Sequence, residues 1–153
     1  MTEEKKLVSL IIPCYNEQES LPCLYPEIKK AADTLSNYRF EILFVDDGSR
    51  DKTLAIMRDL HAMDVRCRYI SFSRNFGKEA AIYAGLQNAG GDYVAIMDVD
   101  LQDPPSLLPK MYRILKEEGY DSVATKRSTR TGEPKIRSFL SESFYKFINL
   151  VLF

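Results

Sequence analysis

Short apolar runs alternate with longer stretches of helical spacing along this 153-residue chain. Residues 7–12 (LVSLII), 40–45 (FEILFV), 67–72 (CRYISF) and 93–97 (YVAIM) are apolar runs halted by Pro13, Asp46, Ser73 and Asp98. Runs of this length, closed by turn residues, predict strands buried on both faces of a parallel sheet. A weaker fifth run covers 122–125. Between the runs, 19–35 places Leu21, Leu24, Ile28, Ala31, Ala32 and Leu35 on one helical stripe. Residues 51–63, 78–88 and 105–118 repeat the pattern, the last with Pro105 suited to a first helical turn. Strand, helix and strand in regular alternation predict an α/β fold, an open, mostly parallel sheet with helices on both faces.

The last part changes character. Residues 124–138 hold five basic side chains and one acid, with Gly132 and Pro134, and predict a loop. Beyond it Leu140, Phe144, Phe147, Ile148 and Val151 fall on one helical face, and the sequence stops in mid-pattern. We therefore expect an α/β domain over 1–138, incomplete at its C-terminus, and the start of an amphipathic helix over 139–153. A membrane surface, a second copy of the chain or the domain's own core would cover that apolar stripe.

Composition narrows the function. With 45% hydrophobic and 28% charged residues the chain is an ordinary folded one. A net charge of -1 offers no basic field for nucleic acid. Three cysteines without a CxxC pair argue against a disulfide framework and against a zinc knuckle. A single histidine leaves little room for His-based metal sites or triads. No GxGxxG follows the first run and no GxxxxGK[ST] exists, which excludes a dinucleotide cofactor and a P-loop.

The candidate chemistry is acidic. In an open parallel sheet, ligands bind beyond the carboxyl ends of the strands. Asn16 and Glu17 follow the first run, Asp46 and Asp47 the second, Asp98 and Asp100 the fourth. If the fourth strand stays extended, Asp98 and Asp100 point one way and Gln102 joins them. Carboxylates with an amide oxygen are hard ligands suited to Mg²⁺ or Mn²⁺. The alternatives are plainer: a solvated turn at Asp98–Asp100, and a turn with a helix cap at Asp46–Ser49. Cys14, beside Pro13, reads as packing rather than a nucleophile, and His61 as surface. The basic loop is either solvated or a clamp on phosphates.

Four blocks, IIPCYNE at 11–17, VDDGS at 45–49, RNFGK at 74–78 and MDVDLQDPP at 97–105, together resemble the family 2 glycosyltransferases of GT-A fold. The DLQDPP stretch resembles the polyprenyl-phosphate group, that of the dolichol-phosphate mannosyltransferases and bactoprenol glucosyltransferases. The resemblance implies that Pro13, Tyr15 and Glu17 line a base and ribose pocket, with Asp47 on the nucleoside. Asn16, Asp46 and Lys78 join them as substrate-binding residues. Asp98 would meet ribose, donor or metal, and Asp100 and Gln102 would hold Mg²⁺ or Mn²⁺ on the donor diphosphate. Arg127 and Arg137 would meet phosphates, so Asp98, Asp100 and Arg127 form the implied catalytic set. The implied reaction is inverting transfer from a UDP- or GDP-linked sugar to a polyprenyl phosphate. The implied place is the cytoplasmic face of the cell membrane, with an anchor beyond residue 153. A GT-A transferase with a hydroxyl acceptor and a nucleotide-binding fragment without turnover are the competing readings.

Overall fold

The computed structural model describes residues 5–100 and 104–125. The chain divides into two compact units, Met1–Val123 and Ala124–Phe153, and the fold described is that of the first. The expected boundary at 138 and the amphipathic helix over 139–153 lie outside the described residues.

The elements run β1 (Leu7–Cys14), α1 (Leu21–Thr34), β2 (Arg39–Asp46), α2 (Thr53–Met63), β3 (Cys67–Ser71), α3 (Lys78–Asn88), β4 (Tyr93–Ile96), a 3-10 turn (Pro105–Leu107) and α4 (Leu108–Glu118). The four strands form one parallel sheet in the order β3-β2-β1-β4. The first three strands step outward in one direction, and the fourth returns to the other side of β1. With right-handed crossovers that reversal puts α1 and α2 on one face and α3 on the other. The core divides accordingly. Leu10, Ile12, Ile42 and Phe44 pack with Leu24, Ile28, Met57 and Leu60, whereas Ile11, Leu43 and Val45 pack with Ala81. Alternate residues of each strand thus serve opposite faces, as the pleat requires.

Leu10, Ile11 and Ile12 are fully buried, each stabilising the fold by roughly 1.5–3 kcal/mol, which marks β1 as the central strand. The α3 helix comes close to it because Gly85 lies over Ile11, whose Cγ1 and Cδ1 would stand 3.3 Å from any added Cβ. A buried polar cluster ties the opposite end of the sheet. Ser9 donates to Glu41, Arg68 bonds Glu41 at 2.8 Å, and Gly90 N–H donates to Glu41 at 2.6 Å.

Two expectations need correction. β1 passes through Pro13 to Cys14 rather than ending at Ile12. In a parallel strand, alternate residues bond to opposite neighbours. Ile11 O accepts Met97 N–H on the β4 side, and Cys14 O accepts Asp47 N–H on the β2 side. Pro13 therefore faces β4, whose ladder with β1 ends at Ile11–Ile96, so its missing N–H costs no hydrogen bond. The fifth run, 122–125, forms no strand. Only Val123 there is half-buried and its neighbours are exposed, so the segment has too little apolar surface to hold against a sheet.

Candidate active site

The reversal of strand order lies between β1 and β4, where an open α/β sheet leaves a crevice at its carboxyl edge. A cleft of about 450 Å³ opens there. β1 contributes Pro13, Cys14, Tyr15 and Glu17, and β2 contributes Asp47. The loop after β3 and the start of α3 add Asn75, Gly77 and Lys78, and β4 adds Asp98 and Asp100. The four carboxylates expected on one rim thus line one cleft. A smaller cavity of about 260 Å³ adjoins it, sharing Tyr15 and Asn75 and adding Asp46, Ser71 and Arg74.

Polar side chains lock the loops around the cleft. Asn16 N–H donates to Ser49 Oγ at 2.9 Å, and Arg50 N–H donates to Asn16 Oδ1 at 2.9 Å. Glu17 N–H donates to Thr53 Oγ1 at 2.7 Å. Asn16 takes a left-handed φ of +56°, which Asn tolerates better than other side chains, so its position between the two loops suits it. Asp46 is buried, accepting Ser49 N–H and the Ser71 hydroxyl, each at 2.9 Å. Asp47 is buried too, and accepts Phe76 N–H at 2.7 Å and Gly77 N–H at 2.9 Å. Gly48, at φ +70°, has no room for a side chain: a Cβ would lie 2.7 Å from Arg74 Cα and O. Asn16, Asp46 and Asp47, expected to bind substrate, therefore each hold one cleft loop against another.

β4 ends at Ile96, but burial keeps alternating beyond it. Met97 and Val99 point inward, Asp98 is half-buried and Asp100 is exposed. Lys78 Nζ lies 2.6 Å from Asp98 Oδ1. A half-exposed ion pair adds little stability; its importance is that a cation stands beside Asp98 within the cleft. Gln102, Arg127 and Arg137 lie outside the described residues. Among the described residues no three His, Cys, Asp or Glu side chains gather into a metal cage. Mg²⁺ needs no such cage, because it takes one or two carboxylates and completes its shell with phosphate oxygens and water. The donor set Asp98 and Asp100 fits that chemistry.

Burial pushes the Cys14 thiol well up, with Glu17 and Asp46 adding to the effect, so it is a poor nucleophile. His61 lies on α2 with Nδ1 2.6 Å from Cys67 O. Arg74, Asn75 and Ser71 were not among the expected site residues, yet all three line the smaller cavity. The rule that selected the others, position after a strand's carboxyl end, applies equally to the segment after β3.

The chain was compared with known proteins. It spans less than half the length of the curated relatives it matches. CsbB of Bacillus subtilis (strain 168), a glycosyltransferase by its given name, is 48% identical over 94% of this chain and 43% of its own. The prophage bactoprenol glucosyl transferase homolog of Escherichia coli (strain K12) is 39% identical over 94% of this chain and 46% of its own. Among solved structures, the mannosyltransferase PcManGT of Pyrobaculum calidifontis, in complex with GDP-Man and Mn²⁺, superposes with a TM-score of 0.63 at 23% identity, over 74% of this chain and 33% of its own. S. aureus TarS 1-349 in complex with UDP-GlcNAc gives 0.67 at 23% identity, over 86% of this chain and 36% of its own. At that identity the two structures establish a shared GT-A fold. The pattern of the family described as glycosyl transferase family 2 matches residues 9–152, and the chain belongs to that family.

Proposed function

We propose that the cleft holds a nucleotide-diphosphate sugar, UDP- or GDP-linked, and that the whole protein transfers the sugar to a polyprenyl phosphate with inversion at the anomeric carbon. The observation that carries this reading is the meeting of Asp98, Asp100 and Lys78 in one cleft at the point where the strand order reverses. Relatives bearing the name bactoprenol glucosyl transferase, at 39–40% identity, support the lipid acceptor.

Tyr15, 42% exposed at the junction of the two cavities, offers a face on which a base can stack. Pro13 and Glu17 would line the base and ribose pocket beside it. Asp100 and Gln102, with Asp98, would hold Mg²⁺ or Mn²⁺. The bound metal would neutralise the charge that develops on the departing diphosphate. Lys78, and Arg127 and Arg137 from the basic loop, would share that charge through hydrogen bonds that strengthen as the bond to the sugar breaks. The acceptor phosphate is already anionic at neutral pH, so attack needs no general base. A hydroxyl acceptor would need one, and Cys14 is buried while His61 points at the main chain of β3.

The acceptor places the reaction at the cytoplasmic face of a membrane, with residues 139–153 against the lipid. A homo-oligomer is consistent with that arrangement. Among the described residues no helix is long and apolar enough to cross a membrane.

The test is product analysis. Membranes containing the protein are incubated with radiolabelled UDP-glucose or GDP-mannose and a polyprenyl phosphate. Sugar extracted with the lipid as a phosphodiester supports the proposal. Sugar on a polysaccharide, glycolipid or protein hydroxyl points to the other acceptor class, and no transfer from any donor overturns the reading.

A further inference from the structure

Asp47 lines the cleft but keeps its carboxylate from it. It is only 3% exposed, and both of its oxygens are taken by main-chain amides, those of Phe76 and Gly77. Hydrogen bonds to an ionised acceptor are about twice as strong as neutral ones. The two amides immediately precede α3, whose first residue is Lys78, and Lys78 reaches across to Asp98. Gly77 takes φ +100°, a conformation L side chains avoid, so the chain turns sharply into the helix where Asp47 grips it. β2 and β4 are not neighbours, because β1 lies between them. The end of β2 is therefore linked to the end of β4 over the top of β1, from Asp47 through residues 76–78 to Asp98.

We propose that Asp47 is a positioning residue. Its carboxylate sets the start of α3 so that Lys78 stands beside Asp98, and it acts on a bound diphosphate only through Lys78. The effect on the ligand rests on the donor-cleft reading above; the brace itself does not. Direct contact between Asp47 and the nucleoside is the rival role, and the two differ in how substitutions combine. If Asp47 acts through Lys78, the loss from changing it disappears once Lys78 is gone.

The experiment is a double-substitution cycle on the full 153-residue chain, with Asp47→Asn, Asp47→Ala, Lys78→Met and the combinations. Asn can accept one amide but sets its NH₂ against the other, so it weakens the brace with less risk to folding. Affinity for UDP and GDP, each with Mg²⁺, is read by calorimetry. Each single substitution should lower it about 10- to 100-fold, the range for one hydrogen bond to a charged group. Asp47→Asn should then cost less than about twofold in the Lys78→Met background, within the additivity error of such cycles. A further tenfold loss in that background would overturn the proposal in favour of direct contact.

A second readout needs no nucleotide. The Asp98 side-chain carboxyl carbon resonance should move in the same direction in Asp47→Asn as in Lys78→Met, and the Phe76 and Gly77 amides should exchange faster in Asp47→Asn. A resonance that moves with Lys78→Met but not with Asp47→Asn or Asp47→Ala overturns the brace. If the native chain binds neither nucleotide, the donor reading fails, and this second readout decides the brace alone.

Discussion

Gly48 and Gly119 share a backbone conformation, φ +70°, but not their surroundings. A Cβ at Gly48 would lie 2.7 Å from Arg74 Cα and O, far inside the 3.4 Å at which ordinary contact begins, whereas at Gly119 it would meet nothing within 4 Å. Alanine at either position must take a left-handed conformation, at about 1–2 kcal/mol. At Gly48 it must also displace backbone, and forced overpacking adds about 1–3 kcal/mol. The Gly48→Ala variant should therefore lose about 2–5 kcal/mol and Gly119→Ala about 1–2 kcal/mol. In a domain of this size each kcal/mol shifts Tm by about 2–4 °C, so the drops should be about 5–15 °C and about 2–6 °C. Calorimetry and urea unfolding measure both. The displaced backbone belongs to the loop that carries Asn75 and leads into Lys78, so Gly48→Ala should also weaken nucleotide binding while Gly119→Ala leaves it alone. Equal losses in the two variants, within about 0.5 kcal/mol, would refute the close approach of the Gly48 turn to Arg74.

Three further outcomes follow from the same geometry. Burial pushes the Glu41 carboxyl up, but bonds from Ser9, Gly90 and Arg68 outweigh it and hold the group below its ordinary 4.5. The unfolded chain then binds more protons just below pH 4.5, so this contribution is complete above that pH and is lost as pH falls through the folded value. Urea midpoints should drop with acidification, and Glu41→Gln should flatten part of that slope, the remainder coming from groups such as Asp64, which Arg66 holds low. Tyr15→Ala should weaken UDP or GDP binding roughly 5- to 150-fold, the equivalent of one base stacked on an aromatic ring, with Tm little changed because the ring is half-exposed. In the native protein iodoacetamide should label exposed Cys23 and spare Cys14 and Cys67, the latter thiol pushed up to about 12 chiefly by burial; labelling of all three at one rate would contradict the packing around them.

Much of this was legible in the sequence, for identifiable reasons. The four strands announce themselves because each is an apolar run closed by a turn residue, and in α3 the expected bounds match Lys78–Asn88. The position of Asp98 and Asp100 could be anticipated because alternation along an extended chain is purely local. What was not legible depended on other strands. Pro13 ends a strand in isolation, and only the departure of β4 at Ile96 makes it harmless. The 122–125 run looked like a strand because local pattern does not reveal whether a partner surface exists. Asp47 and Asp46 were expected to meet substrate, but the loop amides and the Ser71 hydroxyl that engage their carboxylates come from residues 25 to 30 positions away. Residue type and placement after a strand identify the rim, and only the three-dimensional contacts separate the groups that face a ligand from those that build its walls.

The central claim is that the cleft at Asp98 and Asp100 takes a nucleoside diphosphate together with a divalent metal. Calorimetric titration of the chain with UDP and with GDP, each with and without Mn²⁺ and repeated on Asp100→Asn, tests it most directly. The account predicts saturable binding of one nucleotide that requires Mn²⁺ and is lost in Asp100→Asn, with the variant's Tm nearly unchanged because Asp100 is exposed. Binding of neither nucleotide, or metal-independent binding that Asp100→Asn leaves intact, would contradict it.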